Sequence, residues 1–191
     1  SGKQGYAVAQ AALNAGADVT LISAPSGIFP PYGVNELDVE TAGDMLDAVL
    51  ESIAGADALI MAAAVADFRP VKTAAQKIKK ETGLKTIQLE PTTDILAEVG
   101  RRKAQSGQPR LLVGFAAESE DLLKNAQKKL EAKNLDMIVA NDISAADAGF
   151  SVDDNRVFML FRDDEPKAFP LMSKREVAEE IIRQVIQRCA S

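Results

Sequence analysis

The chain has 191 residues, 47% hydrophobic and 26% charged, a composition that fits a single globular domain. Its net charge of −6 argues against a nucleic-acid partner, because an acidic surface repels the phosphate backbone. Histidine is absent and Cys189 is the only cysteine, which excludes imidazole catalysis, disulfides and a zinc cluster and favours a reducing, cytoplasmic setting.

Hydrophobic patterning predicts strands that alternate with helices, with no apolar run of the about 20 residues needed to span a membrane. In the first part of the chain we expect a helix at 4–14, strands at 18–23 and 35–40, a helix at 41–53 and a strand at 57–64. A loop at 65–84 follows. After it we expect a strand at 85–90, a helix at 93–105, a strand at 110–117, a helix at 121–133 and a strand at 136–140. The loop lacks periodicity and is basic, so we interpret it as functional.

The last third of the sequence has a different pattern. Residues 155–162 and 167–172 predict two antiparallel strands, and a capping box at Ser173 and Glu176 predicts a final helix to about Arg188. The whole chain is therefore predicted to be one α/β domain, Rossmann-like, with a mostly parallel doubly wound sheet and an antiparallel edge hairpin. In such a fold a strand precedes the first helix, so we expect residues 1–191 to lack their first strand.

Several predicted strands end in residues suited to binding a ligand. The strand at 57–64 ends in small residues and leads to Asp67, Phe115 lies near the end of a later strand, and Asn141 and Asp142 end another. Carboxyl ends of parallel strands meet at one edge of a sheet, where doubly wound folds bind ligands. Each residue also has an ordinary interpretation: a loop cap for Asp67, a core position for Phe115 and a turn for Asn141.

Basic and glycine-containing segments suggest an anionic ligand. Ser1, Gly2 and Lys3 open a helix whose first N–H groups favour an anion, although they form no Walker A loop and also fit a plain helix start. The run at 77–80 carries three lysines, which repel one another unless an anion such as a triphosphate, or solvent, screens them. Lys133 shares the apolar stripe of helix 121–133, with Lys129 beside it. Both lie late in a helix that leaves the predicted edge and can equally reach into water.

Six segments in this order resemble phosphopantothenoylcysteine synthetase, in particular the C-terminal half of the bacterial bifunctional enzyme. They are SGKQGYAVAQAALNAGADVTLIS, MAAAVADFRP, KIKK, VGFAAE, LEAKNLDMIVAND and GFSVDDN. The resemblance implies a Rossmann-like homodimer, fused in the full-length protein to a flavin-dependent decarboxylase. It also implies that CTP, accompanied by Mg²⁺, activates 4′-phosphopantothenate as an acyl-cytidylate. Cysteine then displaces CMP to give a product of coenzyme A biosynthesis.

The resemblance also implies the site residues. Lys77 matches the catalytic lysine of a mobile loop that closes over the reacting phosphate, and Thr93 stands where the family commonly has proline. An asparagine that the family carries upstream of the first helix is absent, so we expect impaired turnover. No metal ligand is implied. The matched nucleotide-binding positions are Ser1, Gly2, Lys3, Met61, Ala62, Ala63, Asp67, Lys77, Thr93, Asp94, Ile95, Leu96, Phe115, Lys129 and Lys133.

Two alternatives stay open. A nicotinamide-dependent Rossmann reductase predicts an acidic residue at the end of its second strand, whereas the strand here ends with Ser23, Ala24 and Pro25. A non-catalytic nucleotide-binding module predicts CTP binding without formation of an acyl-cytidylate.

Overall fold

The computed structural model describes residues 2–72, 76, 86–118, 120–142 and 154–190. The helices are α1 (Lys3–Asn14), α2 (Ala42–Ser52), α3 (Ile95–Ser106), α4 (Leu122–Ala132) and α5 (Lys174–Cys189). The strands are β1 (Thr20–Ser23), β2 (Asn35–Asp38), β3 (Ala58–Met61), β4 (Phe68–Pro70), β5 (Leu89–Pro91), β6 (Leu111–Glu118), β7 (Met137–Asp142), β8 (Asp154–Phe161) and β9 (Lys167–Ser173). None of the helices in these ranges is both long and apolar enough to cross a membrane.

The main sheet has five strands in the order β3-β6-β7-β8-β9. Strands β3, β6 and β7 are parallel, and β8 and β9 add an antiparallel hairpin at one edge. The predicted α/β class, the mostly parallel sheet and the edge hairpin are confirmed. Strands β1 and β2 form a separate parallel pair, and β4 and β5 form an antiparallel ribbon.

Helices cover both faces of the main sheet because its strands are apolar on both sides. Along β6, Leu112 and Ala116 belong to a core shared with α2, α3 and α4, whereas Leu111 and Val113 belong to a core shared with α1 and α5. Each fully buried aliphatic side chain of this kind stabilises the fold by about 2 kcal/mol. The two-sided burial confirms the doubly wound arrangement, and it places the start of α3 at the carboxyl edge of the sheet.

Helix starts follow local capping chemistry. Thr41 with Asp44 and Ser173 with Glu176 form capping boxes, as predicted for Ser173. Helix α3 begins later than predicted, because its N-cap is Asp94, whose Oδ1 accepts from the Ala97 N–H at 3.0 Å. The prediction of a start near Thr92 or Thr93 was therefore wrong by about one residue.

Three other predictions need correction. Residues 68–70, assigned to a loop, form β4 and pair with β5; three residues are too short to show an alternating pattern. Strand β3 ends at Met61, so the small residues after it belong to a loop. In β1, predicted to be buried, only Ser23 is buried, because its short sheet contains just one other strand among the described residues.

Candidate functional site

The carboxyl ends of β3 and β6 form the centre of the candidate site. The two strands pair in register with Met61 opposite Gly114, so Ala62 and Ala63 emerge at the level of Phe115. Met61 and Phe115 are half-buried and pack on opposite faces of the sheet. Ala62 is half-buried and Ala63 is exposed, so only small side chains follow β3 at the level of the Phe115 ring.

Helix α1 starts beside this strand end. Gly2 is its N-cap with φ of 69°, a left-handed conformation that favours glycine, and Lys3 opens the helix as an exposed residue. A Cβ built on Gly5 would lie 3.8 Å from the Ala62 Cβ, so the first turn of α1 contacts the residue that follows β3. The first-turn N–H groups of α1 therefore point toward the same edge as Phe115.

Asp67 lies next to the start of α3. The backbone N–H of Thr92 donates to the Asp67 carbonyl at 2.9 Å, and the Thr92 hydroxyl donates to the Ala66 carbonyl at 2.5 Å. Thr93 and Asp94 follow immediately in the chain. The structure thus brings together two predicted nucleotide segments that are separated by more than twenty residues in sequence.

An ion pair joins Asp94 to Lys133. The Lys133 Nζ is 2.8 Å from the Asp94 Oδ2, and Asp94 Oδ1 simultaneously caps α3. Partial burial favours the protonated acid, but hydrogen bonds from Lys133 and from the Ala97 N–H outweigh it and hold the pKa of Asp94 below its usual value. Asp94 is therefore ionised at neutral pH, and the Lys133 ammonium lies at the edge of the sheet.

Close packing of the turn that ends α4 on α3 explains how Lys133 reaches the start of α3. A Cβ built on Gly100 would lie only 2.0 Å from the Lys133 carbonyl oxygen, and the Asn134 side-chain amide donates to the Gly100 carbonyl at 3.0 Å. From that position the Lys133 side chain extends back along α3 to its N-cap. Although it lies at the end of α4, Lys133 therefore reaches the N-cap of α3.

Two of the predicted positions can take part only through their backbone. The side chains of Ile95 and Leu96 are buried in the core at 2% and 9% exposure. Any ligand contact they make must come from the N–H groups of the first turn of α3, where a helix binds anions. Lys129 is half-buried in α4, one turn before Lys133. Ser1 and Lys77 lie outside the described residues.

Asn141 was predicted to lie at this edge of the sheet, and its side chain adds a polar group there. It pairs with Ala117 at the end of β7, on the same face of the sheet as Val139 and Phe115. Its Oδ1 is buried and has no hydrogen-bond partner within the described part of the chain. A buried acceptor without a donor is costly, so this atom is suited to a ligand N–H.

Sequence reasoning missed Thr92, Gly100 and Asn134, which position other residues of the site. A glycine inside a helical pattern indicates close packing, and Gly100 is such a glycine. Thr92 and Asn134 gave no signal, because their partners are distant in sequence. In the described ranges no group of three or more Asp, Glu, Cys or His residues is arranged to hold a metal ion.

Comparison with known proteins gives consistent matches. Residues 1–189 match the family described as DNA/pantothenate metabolism flavoprotein C-terminal domain. The chain is 46% identical over 186 residues to the coenzyme A biosynthesis bifunctional protein CoaBC of Bacillus subtilis (strain 168). This match covers 97% of the chain and 45% of that protein. It is 43% identical over 187 residues to a cysteine/cysteine sulfinic acid decarboxylase from an unknown prokaryotic organism, covering 97% and 51%.

A solved structure has the same fold. The crystal structure of the C-terminal domain of a coenzyme A biosynthesis bifunctional protein CoaBC superposes with a TM-score of 0.80 at 41% identity. The match covers 98% of this chain and 82% of that one. The chain spans about half the length of the curated relatives it matches. With a family match over nearly all of its residues, the chain belongs to the family of DNA/pantothenate metabolism flavoprotein C-terminal domains.

Proposed function

We propose that this domain is a phosphopantothenate–cysteine ligase, which uses CTP to join 4′-phosphopantothenate to L-cysteine in coenzyme A biosynthesis. The observation that carries the proposal is the gathering of predicted nucleotide residues from distant segments at one sheet edge. Asp67 and Asp94 are brought together through Thr92, and Lys133 reaches Asp94 from another helix. The names of the bifunctional relatives support the same pathway.

In the first step, a carboxylate oxygen of 4′-phosphopantothenate attacks the α-phosphorus of CTP. The bond from that phosphorus to pyrophosphate breaks, giving an acyl-cytidylate. Negative charge grows on the leaving pyrophosphate, and ammonium groups stabilise it. We assign this role to Lys77 and Lys133, with support from the N–H groups that begin α1 and α3. Mg²⁺ accompanying the nucleotide would neutralise phosphate charge, and the exposed Asp67 carboxylate would hold it, since Mg²⁺ takes few protein ligands and keeps several waters.

In the second step, the amine of cysteine attacks the acyl carbonyl and CMP leaves, with the amine proton released to solvent. CMP is a good leaving group, so this step needs no histidine, which the sequence lacks. The cytosine base fits beside Phe115, where its 4-amino group would donate to the unpartnered Asn141 Oδ1. Ala62 and Ala63 would leave room for the ring because their side chains are small.

The reductase alternative loses support at the end of β1. A dinucleotide-binding domain needs a carboxylate there to bind the ribose hydroxyls. The position is instead occupied by Ser23, whose buried hydroxyl is 2.7 Å from the Tyr6 hydroxyl. Ser26 also donates to Tyr6 at 3.0 Å, so this corner is filled by protein hydroxyls.

We also propose that the domain forms a homodimer and that it is fused to a flavin-dependent decarboxylase in the full-length protein. The relatives are named bifunctional proteins and are about twice as long as this chain, which supports the fusion. The exposed apolar side chains of the β4–β5 ribbon, Phe68 and Leu89, offer a surface for the second copy.

The catalytic role of Lys77 is tested by Lys77→Gln. We expect this variant to bind CTP with near-normal affinity, but to form or consume the acyl-cytidylate at least about a hundredfold more slowly, since one charge contact to the reacting phosphate is lost. Rapid-quench analysis of the intermediate measures this. Lys80→Gln, in the same basic run, is the matched control and should retain normal rates. Normal turnover of Lys77→Gln would contradict the assignment.

A further inference from the structure

Thr92 ties the end of β5 to the residues that precede β4. Residues 68–70 form β4 directly after Asp67, and β5 at residues 89–91 leads directly into Thr92. There the Thr92 N–H donates to the Asp67 carbonyl at 2.9 Å, and its hydroxyl donates to the Ala66 carbonyl at 2.5 Å. One residue therefore makes two hydrogen bonds to the strand-end segment that carries Asp67.

The two bonds from Thr92 lie next to the first pair of the β4–β5 ribbon. Its first pair is Phe68 with Pro91, and proline has no N–H to donate across the ribbon. The ribbon is also poorly buried, because Phe68 and Leu89 are 59% and 57% exposed. An exposed two-stranded ribbon is marginally stable on its own. The bonds made by Thr92 are accordingly well placed to fix where the ribbon begins.

On its other side, Thr92 is connected to a rigid part of the fold. Asp94, two residues later, caps α3 and holds Lys133, and Ile95 is anchored in the core at 2% exposure. The start of α3 thus has a fixed place in the domain. Through its hydrogen bonds, Thr92 fixes the backbone of Asp67 relative to the start of α3. The Asp67 side chain itself is exposed.

We propose that Thr92 is a positioning residue for nucleotide binding, which sets Asp67 relative to the start of α3 through its hydroxyl group. The inference rests on the proposed function, since it takes Asp67 and the start of α3 as nucleotide contacts. Thr92 itself acts through Asp67 and needs no contact with the nucleotide.

The test compares Thr92→Val with Thr92→Ser by calorimetric titration with CTP and Mg²⁺. Valine keeps the β-branched shape and the backbone N–H but loses the hydroxyl, whereas serine keeps the hydroxyl. Loss of one hydrogen bond predicts about fivefold weaker CTP binding in Thr92→Val. Thr92→Ser should bind within about twofold of the unaltered chain. Equal losses in both variants, or no loss in Thr92→Val, would overturn the proposal.

A double-mutant cycle with Asp67→Asn checks the route of the effect. If Thr92 acts through Asp67, adding Thr92→Val to Asp67→Asn costs much less affinity than it does alone. Fully additive losses would show that Thr92 acts by another route and would overturn the inference.

A readout without nucleotide separates this inference from the proposed function. The amide of residue 92 should exchange with solvent about tenfold faster in Thr92→Val than in Thr92→Ser, because the hydroxyl bond holds the two segments together. Unchanged exchange in Thr92→Val would overturn the positioning role. If the unaltered chain fails to bind CTP while the exchange rates differ as expected, the proposed function fails and the positioning role of Thr92 stands.

Discussion

At the scale of single residues, Asp94 combines two functions that a sequence pattern shows only in part. One oxygen caps α3, and the other pairs with Lys133 at 2.8 Å. Asparagine is nearly as good an N-cap as aspartate, so exchanging one for the other isolates the charge. The residue therefore permits a clean measurement of the ion pair at the candidate site.

We expect Asp94→Asn to lower the free energy of unfolding by about 0.5 kcal/mol at neutral pH, a small value because the Asp94 side chain is 48% exposed and solvent screens the pair. The pKa of Asp94 is lower in the folded chain than its usual 3.8. Its contribution is thus complete above about pH 3.8 and is lost as the pH falls through the lower folded value. Urea unfolding of both proteins at pH 7 and near pH 3 measures the difference, and an unchanging difference would refute the ion-pair explanation.

At the scale of elements, the contact between α3 and the turn that ends α4 depends on the missing side chain of Gly100. The Lys133 carbonyl occupies the space that a Cβ would need, and Asn134 bonds to the Gly100 carbonyl. The same contact directs Lys133 to the N-cap of α3. Packing of these helices and the geometry of the candidate site are therefore coupled.

Gly100→Ala should destabilise the domain by about 3 kcal/mol, because backbone lies within 2.0 Å of the new Cβ and one helix must move. The matched control is Gly43→Ala in α2, where the nearest atom would be the Thr41 Oγ1 at 3.6 Å. That substitution should stabilise by up to about 1 kcal/mol through helix propensity. Thermal unfolding of both variants gives the comparison, and equal effects of one sign would contradict the packing argument.

The elements also show how far the sequence alone determines the structure. Capping residues and apolar runs act locally, so the helix from Ser173 and the strands β6 and β7 could be predicted. Strand β4 could not, because its three residues carry no period and depend on pairing with β5. The position of Lys133 could not be predicted either, because it results from contact with a helix some thirty residues earlier. Features that depend on neighbouring residues can be predicted from the sequence. Hydrogen bonds between distant segments, such as those of Thr92, can be identified only in the folded structure.

At the scale of the whole molecule, the described strands form a divided sheet. No ladder joins β1 to β3 among the described residues, and each has one edge without a strand partner there. Both strands run parallel to their own neighbours, β2 and β6. In a doubly wound fold one further parallel strand fits between two such edges. We propose that a strand preceding α1 completes the sheet there.

The proposal is tested by adding to the N-terminus the residues that precede the matching segment in the Bacillus subtilis relative. We expect the extended protein to turn over faster and to protect the amides of β1 and β3 from hydrogen exchange, because a new ladder forms. A control extension of the same length, rich in glycine and serine, should give neither effect. Equal turnover and equal protection with and without the native extension would contradict the proposal.

The most direct test of the central claim is a calorimetric titration of this chain with CTP, ATP and NADPH, each with Mg²⁺. The ligase assignment predicts that CTP binds selectively, since the candidate edge offers the Phe115 surface, the Asn141 acceptor and the Lys133 ammonium to a cytidine triphosphate. Asp67→Ala, titrated alongside, should weaken that binding. Preferential binding of NADPH, or binding of CTP no tighter than that of ATP and NADPH, would contradict the account.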